Sequence, residues 1–173
     1  IRNCPFAGVQ AQQSAVTLDG SALSDLAGYG VRAIGGTTSV TDTTIDGVSL
    51  PSSTDDYDGT CIYVEDADAA LVVDAVEMRG CMRVGLYATE TTLDVRDSTI
   101  LGGEVGLTSN GIVSVGGGAD GSVIADNVLD EIPRFGIYAI DQDIEVTGNT
   151  LTVTAPEPDD SWGVVVGHQD GTL

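Results

Sequence analysis

The sequence predicts an all-β fold, a right-handed, single-stranded parallel β-helix (solenoid) of about seven coils with about 22 residues in each. Three observations predict it: a short motif that recurs along the chain, an alternating strand that follows each copy, and a nearly constant spacing between the two. A single coil of this kind cannot bury its apolar side alone. The coils must therefore stack, and their strands must pair in parallel, about 4.8 Å apart.

The first motif is glycine followed by an apolar, a variable and a small residue, and one copy begins with cysteine instead. Its copies GVQA, GVRA, CIYV, GLYA, GLTS, GIYA and GVVV begin at Gly8, Gly30, Cys61, Gly85, Gly106, Gly136 and Gly163. The second motif alternates and then ends on an apolar residue, as in IEVTGNTL over 144–151. Fifteen residues separate the opening from the closing residue in four coils, those of Gly8 and Leu23, Gly30 and Ile45, Gly85 and Ile100, and Gly136 and Leu151.

This spacing places equivalent residues in columns along the stack, and three inward columns are apolar in every coil. The first is Val9, Val31, Ile62, Leu86, Leu107, Ile137 and Val164. The second is Leu18, Val40, Val73, Val95, Ile124 and Val146. The third is Leu23, Ile45, Met78, Ile100, Leu129 and Leu151. These columns are the predicted core.

Charge limits the partners that this chain can have. It carries 27 Asp and Glu residues against six Arg and no Lys, which gives a formal net charge of −21. Nucleic acid is therefore not expected as a partner, because its phosphates would be repelled. Such a surface attracts calcium, basic proteins or the cations of a concentrated salt solution, or it simply keeps a protein with open strand ends soluble. The chain has no run of eighteen apolar residues, so no transmembrane segment is expected.

The column beside the first core column points outward and contains the candidate ligand-binding residues Arg32, Tyr63, Tyr87 and Tyr138. Its full membership is predicted as Gln10, Arg32, Tyr63, Tyr87, Thr108, Tyr138 and Val165. Tyr63 and Tyr87 are expected to stack in adjacent coils, with Arg32 one coil earlier. Exposed tyrosines on a flat sheet suit sugar rings or a protein interface. The alternative is that tyrosine favours strands and pairs with its neighbours there.

Two pairs of acidic residues are candidate metal ligands. Asp66 and Glu90 are predicted to lie in one column of neighbouring coils, as are Asp97 and Asp126. Carboxylates about 5 Å apart repel each other unless a cation or a proton lies between them, so each pair is a candidate calcium site. Water and nearby arginines relieve the repulsion equally well in the alternative interpretation.

The cysteines show no metal-ligand spacing. A disulfide between Cys61 and Cys81 is geometrically plausible and would imply export, and two buried free thiols are the alternative. Cys4 is equivalent in position to Cys81 but lies three coils away, which is too far for a bond.

The unit GIYA…IEVTGNTL resembles the parallel β-helix repeat of pectate-lyase-like proteins, which often carries Asn two residues before the closing apolar residue. That position holds Ser21, Thr43, Val76, Ser98, Asn127 and Asn149. The resemblance covers essentially the whole chain, and it implies a fold rather than a reaction. A leucine-rich repeat has a similar period, but the second strand-like motif in each coil, GIYA or GLYA, argues against it.

The resemblance also raises an enzymatic alternative, a calcium-dependent polysaccharide lyase or glycosidase fragment. Lyases of that family use calcium held by Asp together with an Arg or Lys base, and its hydrolases use close Asp residues with a Gly-His-Gly motif. No lyase motif matches residue by residue, and the nearest hydrolase match is GHQ at 167–169. A lone His168 near the chain end is more typical of an exposed residue, so no catalytic residue is assigned and an enzyme is not favoured.

The function favoured by the sequence is a secreted or surface-exposed β-helix that binds, adheres or scaffolds, in contact with polysaccharide or another surface protein. Its expected location is extracellular or at the cell surface. Residues 1–173 are expected to form one domain, a piece of a longer chain. No cofactor is certain, and calcium is the candidate. Three insertions, over 46–60, near Gly116 and over 152–162, are expected to leave the stack, the first and third as solvated acidic loops.

Overall fold

The computed structural model describes residues 1–50, 58–102, 110–116, 121–140, 143–154 and 162–167, without the side chains of residues 67 and 68. Its strands are β1 (Ala7–Gln12), β2 (Val16–Asp19), β3 (Ala22–Ala27), β4 (Tyr29–Ile34), β5 (Thr37–Thr41), β6 (Thr44–Ser49), β7 (Thr60–Asp74), β8 (Glu77–Cys81), β9 (Val84–Arg96), β10 (Thr99–Leu101), β11 (Asn110–Val115), β12 (Ser122–Ala125), β13 (Val128–Ile132), β14 (Phe135–Ile140), β15 (Ile144–Thr147), β16 (Thr150–Val153) and β17 (Trp162–Gly167). Among the described residues, no helix has the length and apolarity that crossing a membrane would need.

Three faces of parallel strands wind around one core, as predicted for a β-helix. The first face consists of β1, β4, β11, β14 and β17 with the first halves of β7 and β9. The second consists of β2, β5, β12 and β15 with the second halves of β7 and β9. The third consists of β3, β6, β8, β10, β13 and β16. The described residues thus complete six turns, with β17 starting another, which is slightly fewer than the seven coils predicted.

The predicted register is correct in every coil but one. Ile112 lies between Leu86 and Ile137 in the first core column, so this coil opens at Gly111. The prediction of Gly106 as the opening residue was wrong. GLTS over 106–109 and GIVS over 111–114 both fit the motif, and only strand pairing distinguishes them. Leu107 and Thr108 lie outside the described residues, and Val113 takes the place assigned to Thr108.

Opening glycines face the core and make room for the residue that closes the same coil. A Cβ at Gly30 would lie 2.8 Å from Cγ2 of Ile45, and a Cβ at Gly85 would lie 2.6 Å from Cγ2 of Ile100. Real Cβ atoms essentially never approach other atoms within 3.0 Å. The close approach therefore explains why glycine and a large apolar residue recur at a fixed spacing of fifteen.

A left-handed residue forms the corner between the second and third faces in each turn. This column is Gly20, Asp42, Ala75, Asp97, Asp126 and Gly148, with φ between 46° and 66°. The following residue connects adjacent turns: Oδ1 of Asn127 accepts a hydrogen bond from the Ser98 N–H at 3.0 Å, and Oδ1 of Asn149 accepts one from the Asn127 N–H at 2.9 Å. The asparagines thus satisfy buried backbone donors at the position where the resemblance places them.

Candidate binding surface

The outward column of the first face brings together the tyrosines and arginine that the sequence singles out. Tyr63 and Tyr87 stack with ring centroids 5.4 Å apart and an interplanar angle of 5°, as the register predicts. Cζ of Arg32 lies 5.8 Å from the centre of the Tyr63 ring. A guanidinium within about 6 Å of an aromatic centroid is attracted to the ring quadrupole. Arg32, Tyr63 and Tyr87 therefore form a continuous stack of side chains, the tyrosine ladder, across three adjacent coils.

Tyr63 is not exposed, contrary to the prediction for this column. Only 5% of its surface is accessible, and its hydroxyl donates a 2.7 Å hydrogen bond to Oε2 of Glu65. Burial, and then this hydrogen bond, raise the pKa of Tyr63 well above its usual value of about 10. The raised pKa stabilises the fold below pH ~10, and that contribution is lost as the pH rises toward the folded-state pKa. Arg32, Tyr87 and Tyr138 are half-buried, so they form the accessible part of the column.

Further aromatic residues border this surface just before the opening glycines, outside the column predicted from the sequence, and Tyr29 among them is buried with 1% of its surface accessible. The Tyr29 ring lies 5.4 Å from that of Tyr63, and Cζ of Arg32 is 5.5 Å from the Tyr29 centroid. Phe135 contacts Tyr138 with ring centroids 5.1 Å apart. Trp162 pairs with Phe135 on the neighbouring strand. The signal was present in the sequence, because Tyr29, Phe135 and Trp162 each precede an opening glycine.

Acidic residues are rare in the two outward columns that the structure describes on the first face. Its outward columns are Gln10, Arg32, Tyr63, Tyr87, Val113, Tyr138 and Val165, and Gln12, Ile34, Glu65, Thr89, Val115, Ile140 and Gly167. In these columns only Glu65 is acidic, and it accepts the hydrogen bond from Tyr63. By contrast, the second face carries Asp19, Asp74, Asp94 and Glu145, and the third carries Asp46, Glu77 and Asp130. With one arginine, Arg32, and one acid, Glu65, these columns have no net charge, on a molecule that is strongly acidic as a whole.

The two predicted metal pairs lie at corners of the solenoid. Asp66 and Glu90 have φ values of 128° and 52° and follow the paired residues Glu65 and Thr89, one coil apart. Asp97 and Asp126 succeed the paired residues Arg96 and Ala125. Aspartate tolerates the left-handed backbone conformation better than most residues. This tolerance alone accounts for aspartate at positions 97 and 126, without a bound metal ion.

Calcium binding at these corners stays a prediction. Within the residues that the structure describes, no three Asp, Glu, His or Cys side chains converge as a metal-ligand set. Arg96 forms an ion pair with Asp94 beside the second corner. This hydrogen-bonded pairing, with smaller contributions from Asp126 and Glu145, raises the pKa of Arg96. Arg96 therefore offsets part of the negative charge there.

A disulfide joins Cys61 to Cys81, whose Cα atoms are 5.5 Å apart. Both residues are buried in the core. Cys61 takes the position of the opening glycine, and the closing residue of this coil is the unbranched Met78, which adapts to irregular space. Cys4 is a free thiol and half-buried. The bond closes one turn of the solenoid across its interior, between the first and third faces.

Replacing both bonded cysteines by serine is expected to lower the free energy of unfolding by about 3 kcal/mol, because the bond restricts a loop of about twenty residues in the unfolded chain. Thermal melting at fixed ionic strength would measure this loss, and a reductant should lower the melting temperature of the unmodified protein in the same way. Cys4→Ser is the control, and its melting should remain sensitive to the reductant. A double variant as stable as the parent would contradict the expectation.

The remaining predicted features are the acidic insertions and His168. Asp58, assigned to a solvated acidic loop, is buried with 1% of its surface accessible, so that prediction was wrong for this residue. Its neighbour Gly59 continues the backbone pairing into β7, which brings Asp58 against the stack. Asp46, at the start of the same predicted insertion, lies in β6 and stays on the stack. The other acidic insertion residues lie outside the described residues: Asp55, Asp56, Glu157, Asp159 and Asp160. His168 also lies outside them.

Comparison with known proteins agrees with this architecture. A family model described as "Right handed beta helix region" matches residues 1–151. No curated protein and no solved structure matches the chain. The match covers all six turns up to Leu151 in β16, including the tyrosine ladder and both acidic corners.

Proposed function

The chain belongs to the right-handed β-helix family, and from that premise we propose that it is an exported, non-catalytic binding and scaffold module whose first face contacts its partner. The observation that carries this proposal is the uneven distribution of acidic residues. The outward columns of the first face hold aromatic rings, Arg32 and one acid, Glu65, whereas the other two faces carry several acidic residues beside Arg79 and Arg96. Tyrosine and arginine are enriched at the energetic centres of interfaces, where charged acids are depleted.

The stacked rings of the first face support binding in a second way. Tyr63 is buried beneath its neighbours and fixed by its hydrogen bond to Glu65. Tyr87 stacks on it, and Arg32 lies against it from the other side. Side chains that are already ordered lose little conformational entropy when a partner binds. The half-buried Arg32 and Tyr87 therefore present a preformed surface.

The disulfide supports export. Disulfides persist in oxidising compartments such as the extracellular space and are rare in reducing ones. Cys61 and Cys81 are within the core and bonded to each other. An extracellular or surface location is consistent with a module that adheres to polysaccharide or to another surface protein.

The test is binding to an immobilised panel of neutral and acidic polysaccharides. Tyr87→Ala and Arg32→Ala are each expected to lower the affinity for a bound glycan by about tenfold or more, as for residues at the centre of an interface. Val128→Ala is the matched control, because Val128 is 42% exposed on the third face. Circular dichroism and thermal melting would establish that each variant folds.

Two outcomes would contradict the proposal. Binding that Val128→Ala weakens as much as Tyr87→Ala does would mean that the first face is not the contact surface. Calcium-dependent release of unsaturated sugars from an acidic glycan, abolished by Asp97→Asn or Asp126→Asn, would instead establish the lyase alternative.

A further inference from the structure

Resting on the proposed function, we infer that the ligand of the first face is an uncharged polysaccharide that lies along the solenoid axis and contacts two aromatic subsites. The proximal subsite is formed by Arg32 and Tyr87 on either side of the buried Tyr63. The distal subsite is formed by Phe135, Tyr138 and Trp162, beside Arg134. The distal subsite shares only Tyr138 with the outward column predicted from the sequence.

The distal subsite combines a packed pair of rings, Phe135 and Tyr138, with an exposed tryptophan on the next strand. Cζ of Arg134 lies 4.8 Å from the Phe135 centroid, and Phe135 packs against Tyr138. Trp162 is on the adjacent strand, with its backbone N–H donating a 2.9 Å hydrogen bond to the Arg134 carbonyl. Trp162 is 56% exposed. An exposed tryptophan next to a supported ring cluster offers the flat, weakly polar surface on which the C–H face of a sugar ring stacks.

The register aligns the two subsites along one line. Tyr87 pairs with Val113, and Val113 pairs with Tyr138, so two strand spacings of 4.7–4.9 Å, about 10 Å, separate Tyr87 from Tyr138. From Arg32 to the Trp162 strand there are five such spacings, about 24 Å. Val113 between the subsites is only 8% exposed. An extended polymer with rings at intervals fits this arrangement better than a compact ligand does.

Charge determines the class of polymer. An acidic polysaccharide approaching this face meets the field of a molecule with a net charge of −21, which opposes association. A basic partner is attracted to the second and third faces, which carry the acidic columns, and not to a face that presents Arg32 and Arg134. An uncharged polysaccharide is repelled neither by the net negative charge of the molecule nor by the arginines of the first face. Its hydroxyl groups can accept hydrogen bonds from the guanidinium groups of Arg32 and Arg134.

Trp162 provides a specific experiment because it is the only tryptophan in the chain. Oligosaccharides of neutral β-glucan, xylan and mannan, each as disaccharide and hexasaccharide, are titrated while tryptophan fluorescence reports the distal subsite and calorimetry reports total binding. A hexasaccharide of one neutral series is expected to change the fluorescence and to bind at least about tenfold more tightly than its disaccharide, since contact at one subsite raises the effective concentration at the other. Polygalacturonate oligomers of the same lengths are the acidic comparison.

Variants separate the two subsites. Trp162→Ala and Tyr87→Ala are each expected to reduce hexasaccharide affinity toward that of the disaccharide, whereas Val128→Ala leaves it unchanged. Affinity for the neutral series should also be constant across salt concentrations at which circular dichroism shows the protein folded, because no counterions are released.

The outcomes distinguish this inference from the proposed function. Binding of polygalacturonate through Arg32 and Tyr87, without binding of any neutral series, would overturn the inference and leave the function standing. Equal affinity for short and long neutral oligomers, or no effect of Trp162→Ala, would overturn the two-subsite arrangement. Binding of a protein by the first face, with no glycan bound, would replace the polysaccharide by a protein partner.

Discussion

Raising the ionic strength from about 0.1 M to about 1 M is expected to raise the melting temperature by roughly 10 °C, because salt screens repulsion within this acidic solenoid. The chain has 27 acidic residues and six arginines, and two of those arginines, Arg32 and Arg134, lie over aromatic rings. Carboxylates at equivalent positions in adjacent coils lie about one strand spacing, about 5 Å, apart. At that distance two unit charges in water repel each other by about 0.8 kcal/mol.

Screening is effective at this distance. The Debye length falls from about 10 Å at 0.1 M to about 3 Å at 1 M, which is shorter than the strand spacing. We expect screening to remove about 3 kcal/mol of repulsion in total between carboxylates that are stacked or diagonal neighbours. At roughly 2–4 °C per kcal/mol for a chain of this size, this gives the expected shift in melting temperature. Differential scanning calorimetry in sodium chloride would measure it. Sucrose at matched osmolality is the control, because it carries no charge.

Charge-neutralising variants test the origin of the effect. Asp97→Asn with Asp126→Asn removes one stacked pair while retaining residues that tolerate a left-handed backbone, so the melting temperature in low salt should rise and its dependence on salt should weaken. Asp94→Asn is the control, because Asp94 is ion-paired with Arg96. A melting temperature that is independent of salt would contradict the screening argument.

The same experiment addresses calcium. Calcium chloride at millimolar concentration should raise the melting temperature no more than sodium chloride of equal ionic strength if the acidic corners act only through their summed field. A larger rise that the Asp97 and Asp126 variants abolish would indicate a specific site at that corner.

The sequence predicted the solenoid and most of its register because both depend on a periodic pattern. Apolar columns, a fixed spacing and Asn127 and Asn149 at one turn position are all local in the chain and repeat. The coil containing Ile112 was misassigned because GLTS and GIVS are equivalent as patterns, and only pairing with Leu86 and Ile137 separates them.

The candidate surface was harder to predict because it depends on burial and on contacts between strands. Alternation correctly predicted that Tyr63 and Tyr87 share a column, but it could not predict that Tyr63 is covered. Tyr29 and Trp162 were missed because they precede the opening glycines, at the corner where side chains are no longer strictly inward or outward. The uneven distribution of acidic residues also became visible only after the faces were separated in space.

Gly30→Ala is expected to lower the free energy of unfolding by about 2–3 kcal/mol and the melting temperature by roughly 8 °C, because the added methyl group has no room in the core. A Cβ there would lie 2.4 Å from the Cys61 carbonyl oxygen and 2.8 Å from Cγ2 of Ile45. The first contact is with the backbone of the next coil, so a change of side-chain rotamer alone cannot relieve it.

Gly163 provides a matched control for Gly30→Ala within the same column. It also opens a coil and has no positive φ. Among the residues that the structure describes, and apart from its chain neighbours, none has an atom within 4 Å of the position that an added methyl group would take. Gly163→Ala should therefore leave the melting temperature unchanged or raise it slightly by reducing the entropy of the unfolded chain. If the two substitutions had equal effects, the opening glycine would be required for its backbone conformation and not for space. A large loss at Gly30 alone would establish that crowding by the neighbouring coil and the closing residue fixes glycine at the start of the repeat.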